Sequence, residues 1–184
     1  NHRNRARGLV NAKYDNGDCD TYIEMMDVLD RHDIDAVCIS LPDQWHAVAG
    51  VRACRAGKDI YAEKPLAYTI DEGRMIVDAV EKFGTVWQTG SQQRSSRQFR
   101  HACELVHNGY IGELEKVHVA LPYGNSIREG DTTPCPPPPG FDYDRWLGPA
   151  PYAPYNPARC HWNFRWIMDY SQGQCTDWAG HHID

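Results

Sequence analysis

The sequence predicts an α/β protein built on a parallel sheet with crossover helices, and three observations carry that prediction. Residues 20 to 89 spell helix-strand three times over, the alternation that a parallel sheet requires. Ala36-Val37-Cys38-Ile39-Ser40-Leu41 is a continuous apolar run, as a strand covered on both faces reads in such a sheet. Each of the three strands then ends in a tight polar turn, on the edge of an open α/β sheet where ligands bind.

Residues 3 to 14 read as the tail of a helix with a basic face. A polar loop follows, Asp15-Asn16-Gly17-Asp18. Asp20 or Thr21 can cap a second helix through Tyr22, Met25, Met26 and Leu29. After the strand at 36–41, the turn Leu41-Pro42-Asp43-Gln44-Trp45-His46 leads into a helix rich in Ala, Val and Cys. That helix runs to Ala56 and is ended by Gly57. Ile60 sits in the next strand, which stops at Glu63-Lys64-Pro65. Pro65 removes a backbone donor and pushes Lys64 towards extended geometry. Thr69-Ile70-Asp71-Glu72 is a capping-box pattern opening a helix through Met75, Ile76, Ala79, Val80 and Phe83. Residues 85 to 89 form the third strand. Beyond Gly90, Ser95 or Ser96 opens a helix to Gly109, and 114–121 alternates in part like a half-buried strand. Cys135-Pro136-Pro137-Pro138-Pro139-Gly140 is a stiff extended linker. Residues 141 to 166 are crowded with Trp, Tyr, Pro, Arg and Asn without a clear period, as a long functional loop is. Within them, 142–151 reads as a structural arm without chemistry.

Composition removes several function classes. With 184 residues, 41% apolar and 24% charged, the chain has ordinary globular usage. A formal charge of -6 and no basic tract argue against broad attraction to nucleic acid. No apolar run reaches 18 residues, so no membrane span is expected. The seven cysteines include no Cys-x-x-Cys pair. Cys38, Cys54 and Cys103 lie in apolar runs, which suits free buried thiols in a reducing compartment, hence the cytoplasm, with export left open.

Four groups of residues can carry chemistry. Lys64 presents a cation at a strand's carboxyl end, beside the turns at 41–46 and 89–94, and the three can line one crevice. If the last stretch is helical, Asp177 and His181 share a face. A carboxylate that fixes an imidazole tautomer makes a general acid/base near neutral pH. His181, His182, Asp184 and Asp177 are alternative metal ligands, but adjacent histidines point to different helix faces and no metal is assigned. Tyr155, Asn156, Arg159, His161, Trp162, Asn163, Arg165 and Trp166 mix aromatic faces with hydrogen-bonding groups, the combination a sugar-binding surface needs. Each also has a plain structural reading: a solvated loop lysine, an N-cap aspartate with surface histidines, and aromatic loops that bury themselves.

In this order and at these intervals the motifs resemble the Gfo/Idh/MocA family of nicotinamide-dependent oxidoreductases. The resemblance is carried by residues 36–46, Ala62-Glu63-Lys64-Pro65-Leu66, Gln88-Thr89-Gly90-Ser91-Gln92-Gln93-Arg94, Asn108-Gly109-Tyr110-Ile111-Gly112 and Asp177-x-x-x-His181. The segment from Arg145 to Trp166 resembles a bacterial branch rich in sugar dehydrogenases. The resemblance implies a partial, doubly wound Rossmann domain over 1–92, then the start of an α+β open-sheet domain over 93–184 that serves substrate binding and oligomerisation. It also implies NAD or NADP as cofactor, a carbohydrate substrate and a homo-oligomer. Lys64, Asp177 and His181 inherit catalytic roles, with His181, oriented by Asp177, as acid/base on the substrate hydroxyl. Pro42, His46, Glu63, Lys64 and Gln92 inherit cofactor-side positions. Arg94, Tyr155, Asn156, His161, Arg165 and Trp166 are the expected substrate-binding residues. A cis peptide is expected at Lys64-Pro65. The alternative is a nonredox or metal-assisted carbohydrate enzyme, or a glycosidase with cryptic redox. The glycine-rich turn and the acidic residue for the adenosine ribose have no counterpart here. The chain therefore reads as an internal fragment, inactive by itself.

Overall fold

The computed structural model describes residues 2–120 and 130–183. Two compact units are formed, Asn1–Asp35 and Ala36–Asp184. In the first, helix α1 (His2–Tyr14) buries none of its side chains. Its Arg3 donates to the Tyr22 carbonyl at 2.9 Å, and its Asn11 side chain accepts from Cys19 N at 2.9 Å. Helix α2 (Met25–Leu29) is a single short stretch that buries Leu29. It begins later than a cap at Asp20 or Thr21 requires. Its N-cap is Glu24, with no side-chain cap bond, and Tyr22 instead receives the Arg31 guanidinium on its hydroxyl.

The second unit holds the sheet. Strands β1 (Ala36–Ile39), β2 (Asp59–Glu63) and β3 (Trp87–Gly90) are parallel in the order β1-β2-β3. Helices α3 (Asp43–Arg55) and α4 (Ile70–Phe83) make the crossovers and pack on each other. Asp43, His46, Ala47, Gly50 and Cys54 recur at helical spacing, and all are buried. Small residues let α3 approach closely: the Trp87 ring lies 2.7 Å from where a Cβ on Gly50 would stand. Ile39, Ile60, Ala62, Ile76 and Ala79 complete this core.

The expectation that β1 is covered on both faces is corrected. Along β2, exposed Asp59 and Tyr61 alternate with buried Ile60 and Ala62, and on β1 Cys38 is exposed while Ile39 is buried. The fold class stands as expected, a parallel, doubly wound sheet, while within the second unit α3 packs on β1 and β2 and burial along the strands keeps a period of two. All seven cysteines are free, and Cys54 and Cys160 are buried. Cys38 and Cys103 are exposed, against expectation, because Cys38 points to the open face and α5 (Arg97–His107) buries nothing.

Helix α4 opens with the full capping box. Thr69 Oγ1 accepts from Glu72 N at 3.2 Å, while Glu72 Oε2 accepts from Thr69 N at 3.1 Å and Tyr68 N at 3.0 Å. Gly84, at φ 66°, closes it in the left-handed conformation. Thr69→Ala should lower stability by about 1 kcal/mol, read as a lower urea midpoint with an unchanged m-value.

Residues 114–120 form no strand, a second correction; residue 121 lies outside the described residues. A strand is held by its neighbours, and alternation in sequence supplies none. The proline run lies in no helix or strand and ends in a turn, where Phe141 N donates to the Pro138 carbonyl at 3.0 Å. Beyond it an aromatic layer forms around Tyr143, Leu147, Tyr155, Cys160, Phe164 and Tyr170. Trp146 meets Tyr170 edge-on at 4.9 Å between ring centroids, and Tyr143 meets Tyr155 at 5.3 Å. Burial pushes the Cys160 thiol up to about 11, so it stays protonated and inert.

This layer docks on the start of α3 through helix α6 (Tyr143–Leu147). Carbonyls at a helix C-terminus lack intrahelical partners, and here two of them are capped from outside. Trp45 Nε1 donates to Arg145 O at 3.0 Å, and Gln44 Nε2 donates to Trp146 O at 3.2 Å. Gly148 follows at φ 56° with the Trp45 indole pressed against it.

Candidate active site

The carboxyl end of β2 delivers Lys64 into a cluster from four chain segments. The Lys64-Pro65 peptide is cis, as expected. Helix α7 (Gly173–His182) supplies the partners. Lys64 Nζ donates to Asp177 Oδ1 at 2.7 Å and to the Asp177 carbonyl at 2.8 Å. The two side chains are only 14% and 13% exposed, so this is a largely desolvated ion pair. Arg165 Nε stands 4.0 Å from the same Oδ1, its guanidinium held over the rings of Trp162 and Phe164. Gly180 makes the approach of α7 possible. A Cβ there would lie 3.1 Å from Lys64 Cβ and 3.4 Å from its Cγ.

His181 is half-buried, and its Nδ1 is buried without a hydrogen-bond partner. Burial first, then the Lys64 ammonium, holds its pKa below the ordinary histidine value, against a smaller opposing pull from Asp177. The ring is therefore neutral near pH 7. The expected orientation of His181 by Asp177 is corrected here: the carboxylate spends its hydrogen bond on Lys64, a full cation and a stronger partner than a neutral imidazole.

Asp43, in the first turn of α3, is 5% exposed and was not singled out from the sequence. Burial pushes its pKa up, against the Ser171 hydroxyl and the His46 and Lys64 sites. Its signal was present in the sequence, a carboxylate three residues before His46 on one helical face. Gly180 had a signal too, being the small residue between Asp177 and His181 on the same turn. Tyr68 carried none. Its hydroxyl donates to the Met168 carbonyl and its own carbonyl accepts from Gln172 Nε2 at 2.7 Å, tying the Lys64 turn to the approach of α7.

The other expected residues divide. Pro42 is the half-buried N-cap of α3. His46 is 1% exposed, and both ring nitrogens face backbone carbonyls. Glu63 is half-buried at the end of β2, paired in register with Gly90. Gln92 and Arg94 lie exposed on the short 3-10 turn Gln92–Ser95. Tyr155 is buried in the aromatic layer, in T-shaped contact with both Phe141 and Tyr143. Asn156 is buried, and His161 is exposed at φ 56° with its ring stacked on Phe141. Trp166 is half-buried, with an indole N–H that finds no partner. Lys64, Asp177, His181 and Arg165 are thus brought together, while Tyr155 and His161 belong to the aromatic layer.

Residues 2–91 match the NAD-binding Rossmann fold of the GFO/IDH/MocA oxidoreductases, and residues 95–184 match their C-terminal alpha/beta domain. The chain belongs to the Gfo/Idh/MocA oxidoreductase family. Among similar proteins, an uncharacterized oxidoreductase of Bacillus subtilis, YrbE, is 33% identical over 122 residues, covering 66% of this chain and 32% of YrbE. A glycosyl hydrolase family 109 protein of Shewanella pealeana is 34% identical over 102 residues, covering 55% of this chain and 22% of its own length. The crystal structure of myo-inositol 2-dehydrogenase from Lactobacillus plantarum superposes with a TM-score of 0.51 at 30% identity, over 57% of this chain and 31% of that one. The chain spans about a third or less of each relative's length.

The arrangement suits a dinucleotide's nicotinamide end. The three parallel strands end on one edge with the turns at 41–46, 63–65 and 91–95, and an unpartnered imidazole nitrogen and an ammonium lie beside them. Among the described residues no group of three or more His, Cys, Asp or Glu is placed to hold a metal ion, and no helix is long and apolar enough to cross a membrane.

Proposed function

We propose that this chain forms the nicotinamide-side portion of an NAD(P)-dependent oxidoreductase that moves hydride between the cofactor and a hydroxyl carbon of a sugar, cyclitol or related polyol. One observation carries the reading: a desolvated Lys64–Asp177 pair beside a neutral His181, at the carboxyl end of the middle parallel strand. A bound nicotinamide supplies the hydride acceptor. His181 takes the hydroxyl proton, and Lys64 stabilises the charge that develops on that oxygen. Asp177 aims the Lys64 ammonium, and Arg165 borders the substrate. Pro42, Glu63 and Gln92 line the cofactor side. Arg94, Asn156 and Trp166 complete the substrate side, with Tyr155 and His161 acting through the aromatic layer behind it. The domain boundary falls between residues 92 and 93, the protein works as a homo-oligomer, and it resides in the cytoplasm.

The test uses the intact protein with NAD or NADP and a panel of polyols and sugars, following reduced-nicotinamide absorbance. A rise with at least one polyol supports the reading. The likeness to a family 109 glycosyl hydrolase favours a second reading, in which the same groups serve glycoside cleavage with no net change in the cofactor. Glycoside cleavage without net absorbance change would replace the first reading with the second.

The pH dependence follows from His181. Only the neutral ring accepts a proton, and its pKa lies below the ordinary histidine value. The kcat/KM for hydroxyl oxidation should therefore be level at neutral pH and fall as pH drops through that lowered value. His181→Asn should reduce kcat by about 10²–10⁴-fold and abolish that acid limb, measured as a pH-rate profile.

A further inference from the structure

Lys64 is bound to α7 by more than its ion pair. Its Nζ donates to Asp177 Oδ1 at 2.7 Å and also to the Asp177 main-chain carbonyl at 2.8 Å. A carbonyl inside a helix already accepts an N–H from four residues on. Its second lone pair is open to an outside donor only where no side chain covers it.

Side chains on a helix lean toward its N-terminus, so each covers the turn before its own Cα. The residue that would cover the Asp177 carbonyl stands three positions on, and in this chain it is Gly180. The lysine stem takes the place that a side chain would have filled. A Cβ on Gly180 would stand 3.1 Å from Lys64 Cβ, 3.4 Å from its Cγ and 3.5 Å from its Cδ. The contact thus runs along the whole stem, and its near end is closer than the about 3.5–4.0 Å at which carbons settle. Neither side yields freely. Lys64 Cβ is anchored between Pro65 and Glu63, which is held in register with Gly90. Were α7 to back away instead, the Asp177 carbonyl would go with it.

We infer that Gly180 is a positioning residue: its bare backbone is the seat along which the Lys64 stem lies, and the seat sets where the ammonium points. An ammonium has three N–H donors. Asp177 takes two of them, one through its carbonyl and one through its carboxylate, so the direction of the third follows from the first two. That third donor is the one the reacting oxygen would meet. This last step rests on the oxidoreductase reading above, whereas the seat does not.

Gly180→Ala in the intact protein separates this role from a packing role. Alanine is the better helix former, so thermal unfolding should stay within a few degrees of the parent. The kcat for polyol oxidation should nonetheless fall on the order of tenfold to a hundredfold, with KM for the cofactor within about twofold. A crystal structure of the variant should show Lys64 Nζ beyond hydrogen-bond distance of the Asp177 carbonyl. Once Lys64→Ala has removed the stem, adding Gly180→Ala should cost no further activity. An unchanged kcat, a loss undiminished in the Lys64→Ala background, or a variant whose lysine keeps the carbonyl bond overturns the inference. Should Gly180→Ala fail to fold, a crystal structure of the unaltered intact protein decides. Lys64 Nζ on the Asp177 carbonyl with its stem along Gly180 upholds the seat, and Nζ away from that carbonyl overturns it. An intact protein that transfers no hydride to any polyol defeats the functional reading alone, because the crystal structures judge the seat apart from activity.

Discussion

Lys64→Ala in the intact protein is expected to lower kcat for polyol oxidation by about 10²–10³-fold, the usual cost of losing one donor to a developing oxyanion. Two further effects should accompany it. Asp177 would keep a 13% exposed carboxylate with Arg165, at 4.0 Å, as its ion-pair partner among the described residues. Stability should then fall by about 2 kcal/mol, short of the 3–5 kcal/mol for breaking a fully buried pair, because both groups retain some water. The Lys64→Ala, Asp177→Asn double variant should recover part of that loss in a denaturant titration and none of the activity. Lys64→Arg should not rescue turnover. The guanidinium is broader than an ammonium, and the stem already passes within contact distance of Gly180. Full activity in Lys64→Ala would remove the lysine from the mechanism.

The largest stability effect is expected at Gly148. Its backbone sits at φ 56° and ψ -124°, where residues with a side chain are strained. A Cβ would also stand 2.3 Å from Trp45 Cε2 and 2.5 Å from its Nε1. An indole is rigid, and this one is bonded to the Arg145 carbonyl, so it cannot step aside and keep its bond. Gly148→Ala should cost about 2–4 kcal/mol, backbone strain and overpacking together. Thermal unfolding measures it, and indole fluorescence should show Trp45 leaving its site. A shift within about 0.5 kcal/mol, typical of an indifferent surface change, would mean that α6 does not dock on α3 in solution.

The parts of this protein legible in sequence were those governed by local rules. The capping box at Thr69, the glycine that ends α4, the proline that ends β2 and the apolar runs of the strands state their conformations within a few residues, and each element stands where expected. The misreadings involved distant partners. Residues 114–120 alternate as a strand does, yet a strand exists only beside another. Cys38 lies in an apolar run, but which face of β1 is covered depends on helices elsewhere in the chain.

The candidate site followed the same division. Lys64, Asp177 and His181 were legible because their motifs carry a family's spacing, and they do meet. The bond between Lys64 and Asp177 joins residues 113 apart, and no local pattern could say that Asp177 would choose the lysine over His181. Tyr155 looked like a sugar-stacking face because aromatic residues near polar ones look alike whether they line a cleft or fill a core. Packing against Phe141 and Tyr143 decided it.

The first turn of α3 has a consequence for how the chain tolerates changes in length. Gln44 and Trp45 reach one way, to the carbonyls of Trp146 and Arg145, while His46 reaches the other way, to Pro65. Three consecutive side chains thus serve two distant segments, and their directions are set by the phase of a single helical turn. One residue inserted after Pro42 rotates that turn by about 100° and misdirects all three together. The same insertion within 136–138, which is exposed and lies in no helix or strand, leaves the phase of that turn unchanged. Drift in loop length is thereby channelled into the proline run and barred from the strand-end turn.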